Sequence, residues 1–137
     1  MKFRIYLYTA IRILFGVFLA LHSVYNVFFY SDFLQKIDVH FTKATLFNYN
    51  LVETLAPLVP FEEFIVGMFL ALGFFTRKVL KGAALLFLFL AFFLLDANSL
   101  ELALVHLVCF FVVLMLWHKE NYNLKSMDYL RDSYLII

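Results

Sequence analysis

PFEEFIVGMFLALGFFTR, residues Pro60 to Arg77, is the stretch on which the fold turns. Two adjacent acids, Glu62 and Glu63, open an apolar run. Gly67 and Gly73 punctuate it, and Arg77, Lys78 and Lys81 close it. Pro60 suits a first helical turn, where its missing N–H is not needed. Acids at a helix start meet the positive end of the macrodipole. Basic residues at the far end can stay in water on the cytoplasmic side of a bilayer. The stretch reads as a membrane helix with carboxylates at one mouth.

The chain around it has the composition to match. Of its 137 residues 65% are apolar, with a mean hydropathy of +0.91, against about 45–50% apolar in a soluble domain. Four apolar runs carry the excess, at about 5–29, 58–75, 79–95 and 100–117. At ~1.5 Å per residue such runs approach the thickness of a bilayer core. The opening MKFR and the run behind it resemble a signal peptide, but Arg12 interrupts a run that is too long, so a retained anchor is expected. The length suits one domain. Basic residues flank the apolar runs and form no stripe, which argues against nucleic acid. The single Cys109 excludes an internal disulfide, a CxxC redox pair and a structural zinc site.

Charge sets the expected orientation. Lys2, Arg4 and Arg12 open the first run, Arg77, Lys78 and Lys81 fill the short turn after the second, and Lys119, Lys125 and Arg131 follow the fourth. The positive-inside rule puts all three regions in the cytoplasm. The expected fold is therefore all-α: an integral membrane four-helix bundle, up-down-up-down, with both termini cytoplasmic. It has an outer loop over 30–57 and a cytoplasmic tail over 118–137, the tail with an amphipathic surface helix. Within the loop, SDFLQKI suits a short amphipathic helix capped by Ser31 or Asp32, and TLFNYNLVETLAPLVP a second interfacial piece. The loop is either a partner's docking place or a cap on the membrane surface.

Ionisable residues inside a membrane are expensive, so each is a functional hypothesis. Counting inward, His22 and His106 fall roughly 9–10 Å below the outer surface. Glu63, Asp96 and Glu101 enter from the same side, and Ser23 and Asn26 share the level. At 100° per residue Arg12, Gly16, Leu19, Ser23, Asn26 and Tyr30 make one stripe. Glu63, Gly67, Leu70 and Phe74 make a second, and His106, Phe110, Val113 and Trp117 a third, with Cys109 at its edge. Small residues on two stripes suit close approach of helices. The helix start leaves open whether Glu62 or Glu63 faces inward.

Three readings of His22, Asn26, Glu63 and His106 follow. They are polar glue between helices. Or they line an outward-facing pocket for a quinone head group or another small amphiphile, with a His or Glu passing a proton. Or His22 and His106 hold a haem or metal, which the lack of a CxxCH and of bis-His spacing in one helix disfavours. Arg12 is expected to snorkel to lipid phosphates, or else to pair inward with an acid. Arg77 belongs to the membrane interface, and Cys109 to inert packing.

The spacing of Pro60, Glu63, Gly67, Gly73, Thr76 and Arg77 resembles the second segment of the DoxX/MauE group of small bacterial four-helix membrane proteins. Arg12, Gly16 and His22 match that group's first segment. Ser23 stands where glycine is usual, and Asn26 where lysine is usual. The resemblance implies a place beside redox systems, as in subunits of quinol or thiosulfate:quinone oxidoreductases, methylamine-utilisation factors and thiol-stress complexes. The missing lysine and the lack of a cysteine pair weigh against a thiol relay. The expected function is a non-catalytic accessory or anchoring subunit in a bacterial cytoplasmic membrane. Its partners would be larger membrane-complex subunits, and a quinone or lipid would sit in the polar pocket. The alternative is a small proton-coupled transporter or channel using Glu63.

Overall fold

The computed structural model describes residues 1–134, and the end of the tail, 135–137, lies outside the described residues. The helices in chain order are α1 (Lys2–Phe28), α2 (Tyr30–Lys43), α3 (Asn50–Leu55), α4 (Val59–Leu72), α5 (Thr76–Asp96), α6 (Leu100–His118) and α7 (Met127–Tyr134). Short 3₁₀ turns cover Ala56–Leu58 and Glu120–Tyr122. The protein is all-α, and four spans are long and apolar enough to cross a membrane: Lys2–Phe28, Asn50–Leu72, Thr76–Asp96 and Leu100–His118.

The second span is composite. α4 alone has 14 residues, about 21 Å at 1.5 Å per residue. Joined to α3 through the 3₁₀ turn it makes 23 residues, about 34 Å and enough for a ~30 Å hydrocarbon core. The stretch expected to be a second interfacial piece thus ends as the head of a spanning helix. α2 is likewise longer than SDFLQKI suggests, at 14 residues.

The helices assemble as two close pairs, α1 with α4 and α5 with α6. In the first pair the backbones touch. A Cβ built on Gly67 would lie 2.6 Å from the Ala20 nitrogen, and one on Gly16 would lie 2.6 Å from the Gly67 oxygen. Only glycine permits that approach, which brings small-residue packing to its limit. α1 buries Tyr8, Arg12, Gly16, Leu19 and Ser23, and α4 buries Pro60, Glu63, Gly67 and Leu70. Most of each stripe read from the sequence is thus buried, while Asn26, Phe74 and Tyr30, the last already in α2, are half-buried.

On α6 the expected stripe is rotated. Ala103, Cys109, Val113 and Leu116 are buried, while His106, Phe110 and Trp117 lie at the flank. α5 fills the interface with Ala83, Ala84, Phe87, Leu90 and Ala91. The bulky rings take the roomier edges, and small Cys109 faces the seam.

One core cluster joins Tyr8, Leu19, Leu70, Leu80, Phe87, Cys109 and Val113 across the two pairs. A second, with Phe41, Ala44, Phe93, Leu94, Ala97 and Ala103, fastens α2 over the α5–α6 turn. Region 30–57 is therefore a packed roof as well as a loop. The start of α1 and the tail after α6 meet at the other end of the bundle, where the Arg4 Nη1 donates to the Tyr122 hydroxyl at 3.2 Å. These two ends are called the loop end and the terminal end below.

Candidate functional site

The loop end encloses a cavity of about 560 Å³ between the two helix pairs and under the roof. Three of its walls carry residues singled out from the sequence: His22 and Asn26 on α1, Glu63 on α4 and His106 on α6. Most of the remaining wall is apolar, including Leu86, Phe89, Leu90 and Phe93 on α5. The volume falls within the ~300–1,000 Å³ of small-molecule sites.

Glu63 is the inward acid, 3% exposed, while Glu62 faces outward and lines the cavity mouth. The Glu63 Oε2 lies 3.2 Å from the His22 Nδ1. The contact exists because Gly16 and Gly67 let α1 and α4 close up below it, which carries two remote segments to one level. A buried carboxylate needs a partner, and with Nδ1–H pointing at Glu63 the His22 Nε2 is left for another contact. The Phe18 ring stacks on the imidazole at 6.2 Å between centroids.

His106 shares the cavity, yet its bond is local. Its Nδ1 is 2.7 Å from the Leu102 carbonyl of its own helix. A carbonyl only accepts, so Nδ1 carries a proton toward it and Nε2 is left for another contact. The Phe87 ring packs against it. Ser23 also turns to its own helix and donates to the Leu19 oxygen at 2.7 Å. Asp96 and Glu101 do not join the cluster. Glu101 is exposed, and Asp96 accepts from the backbone N–H groups of Thr45, Leu46 and Phe47 at 2.9, 2.8 and 3.1 Å. The Thr45 hydroxyl adds a fourth bond at 2.9 Å. Asp96 thereby ties the roof to the α5–α6 turn, as does His40, whose Nδ1 is 3.0 Å from the Ser99 Oγ. Burial, with Lys43 nearby, holds the His40 imidazole below its ordinary pKa.

Lys36 and His40 of α2 also line the cavity. Sequence reasoning missed both, because their distance from the spanning segments hid the fold-back of α2. The helical spacing of Phe33, Ile37 and Phe41 was the available signal. Among the described residues no group of three or more His, Cys, Asp or Glu side chains could hold a metal ion. The geometry thus pairs an apolar volume with a few hydrogen-bonding groups at one end, which suits an amphiphile.

Arg12 does not snorkel. It is 1% exposed, and its Nη1 donates to the Leu70 carbonyl and to that of Ala71 at 3.2 Å. Its Nη2 donates to the Lys125 carbonyl at 2.9 Å. The physical reason is the C-terminus of α4, whose last carbonyls lack intrahelical donors and carry the negative end of the dipole. A forked guanidinium meets several of them at once.

Beside it Gly73 takes a left-handed φ of 69°, and the Phe74 N–H closes on the Phe69 oxygen at 2.9 Å, a Schellman ending. Phe75 is left-handed too, at φ 48°, which strains a non-glycine residue by about 1–3 kcal/mol. Asp128 from the tail holds it, accepting the Phe75 and Thr76 N–H groups, each at 2.7 Å. This is an N-cap for α5 supplied from 52 residues away. Arg77, placed at the interface, is well exposed and 3.3 Å from Glu120, so that pair adds little.

The DoxX family model matches residues 7–98. The match runs from α1 through α5 and takes in Arg12, His22, Glu63 and Asp96, but not His106. No curated protein and no solved structure matches the chain. More than half of the chain lies inside the family model, on the segments that carry the resemblance, and this protein belongs to the DoxX family.

Proposed function

We propose that this chain is a non-catalytic accessory subunit of a membrane redox or envelope complex, and that it holds a quinone or lipid in the cavity at its loop end. The observation that carries the reading is Glu63. It is a carboxylate buried at 3% exposure, partnered by His22 and facing a mostly apolar volume of about 560 Å³. Burying a charge is costly, and polar glue alone needs no open space beside it. The apolar walls suit the body of an amphiphile, and His22, Asn26 and His106 suit its polar head. The basic residues at Lys2, Arg4, Arg77, Lys78 and Lys81 support placing the terminal end inside, and the family resemblance supports a bacterial cytoplasmic membrane. The place beside redox systems is what the family resemblance implies.

Two measurements test the two halves. Extraction in gentle detergent is expected to recover a larger partner in fixed stoichiometry, and a lone monomer or homodimer would remove the accessory role. Mass spectrometry of the organic extract of the purified protein is expected to find one amphiphile enriched over the bulk membrane. An extract with bulk composition would remove the ligand.

A further inference from the structure

The cavity mouth carries two charges that the protein leaves open. Lys36 on α2 and Glu62 on α4 both line it, and both are exposed. Neither forms an ion pair among the described residues, where the acids and bases that pair are His22 with Glu63, Arg77 with Glu120, and Arg131 with Asp128 and Asp132. The deeper acid, Glu63, already has His22. Asn26 lines the same cavity with an amide that donates and accepts. One fixed cation and one fixed anion therefore flank the entrance of an otherwise apolar space.

That space also opens sideways. Leu51, Leu55 and Leu102 line the cavity and are exposed on the outside of the bundle. On a spanning protein that outer surface faces acyl chains. An apolar wall thus runs from the cavity to the bilayer, and a chain can lie along it while its head stays at the mouth. Lys36 stands midway along α2 and Glu62 in the first turn of α4, two elements that both border the cavity.

Resting on the reading of this cavity as an amphiphile site, we infer that its ligand is a phospholipid with a zwitterionic amino-phosphate head group. Lys36 and Asn26 take the phosphate, Glu62 takes the ammonium, and one acyl chain fills part of the apolar volume. A purely anionic head brings its charge beside Glu62, and the resulting repulsion selects against it. A neutral quinone head can accept from Lys36 but brings no cation to Glu62. Charge-assisted hydrogen bonds to ammonium and phosphate are the stronger kind, and the zwitterion alone makes both.

The test titrates delipidated protein in detergent with phosphatidylethanolamine, phosphatidylglycerol or a short-chain quinone, and reads bound adducts by native mass spectrometry. Wild type is expected to bind phosphatidylethanolamine at least tenfold more tightly than phosphatidylglycerol. Lys36→Gln and Glu62→Gln, both at exposed positions, are each expected to weaken phosphatidylethanolamine at least fivefold. Glu62→Gln is also expected to narrow the preference over phosphatidylglycerol. Equal binding of the two lipids, or variants that bind as wild type does, overturns the head-group assignment. Binding of the quinone alone overturns it too, while leaving the amphiphile site standing. Binding of none of the three overturns both.

Discussion

At the terminal end of the bundle the Arg12 guanidinium reaches carbonyls of α4 and of the tail, and Asp128 reaches back to cap α5. At the loop end Glu63 has one bond to His22 and then open space, with Lys36 and Glu62, unpaired among the described residues, at the rim. Both ends bury ionisable groups. The first spends them on its own backbone, where orphaned helix-end groups need partners. The second leaves hydrogen-bonding capacity facing a void. Buried polarity at the terminal end accounts for the fold, whereas at the loop end it faces open space, the place proposed for a ligand. The glycine contact of Gly16 and Gly67 lies between them and holds both in register.

The sharpest way to break this contrast is Arg12→Ala. It is expected to lower stability by on the order of 3 kcal/mol or more, from orphaned carbonyls and a cavity. Thermal unfolding in detergent reads it, and Arg12→Lys should recover only part, since an ammonium cannot fork. A melting point unchanged from wild type would show that the guanidinium is not what closes this end.

Asp128→Ala comes next, at about 0.5–2 kcal/mol, the usual cost of a lost N-cap. Faster amide exchange should appear at Phe75 and Thr76, and protection equal to wild type there would remove Asp128 as the cap. At the loop end Glu63→Gln should alter stability by only about 1 kcal/mol, the net worth of one hydrogen bond. Amphiphile recovery should fall sharply in the same variant. If instead it unfolds the protein and leaves ligand unchanged, the two ends are of one kind.

The smallest effect is a pH dependence of the roof. The docked His40 holds its proton less tightly than a free histidine does, so the undocked segment binds more protons in acid. Docking is therefore complete above the ordinary histidine pKa of about 6.5 and weakens as pH falls below it. Amide exchange at residues 45–47, corrected for its intrinsic pH dependence, should rise in mild acid. The rise should vanish in His40→Gln.

Much of this was legible beforehand. The inward stripes of α1 and α4 follow from helical period and small residues, and the structure buries Gly16, Leu19, Ser23, Glu63, Gly67 and Leu70 as expected. His22 lies to one side of the α1 stripe and still reaches Glu63, because the two residues come to one level along their helices. Arg12 was misread, because snorkelling is the reasonable fate of a cation near a boundary and nothing in α1 tells which helix ends beside it. Asp128 was hidden for the same cause. It lies in the tail expected to be an amphipathic surface helix, and its actual target is Phe75 and Thr76. Asp96 was seen in its turn, but its partners, the amides of residues 45–47, were not.

The sequence by itself determined a four-span helical membrane protein, the faces along which α1 and α4 meet, and the level at which their polar groups collect. Those properties come from hydropathy and period, which act within each segment. Only the tertiary structure decided which carbonyls Arg12 satisfies, which helix Asp128 caps, and that α2 folds back to roof a cavity. Backbone donors and acceptors are identical along the chain, so their pairing with a distant side chain is settled by where the helices end in space.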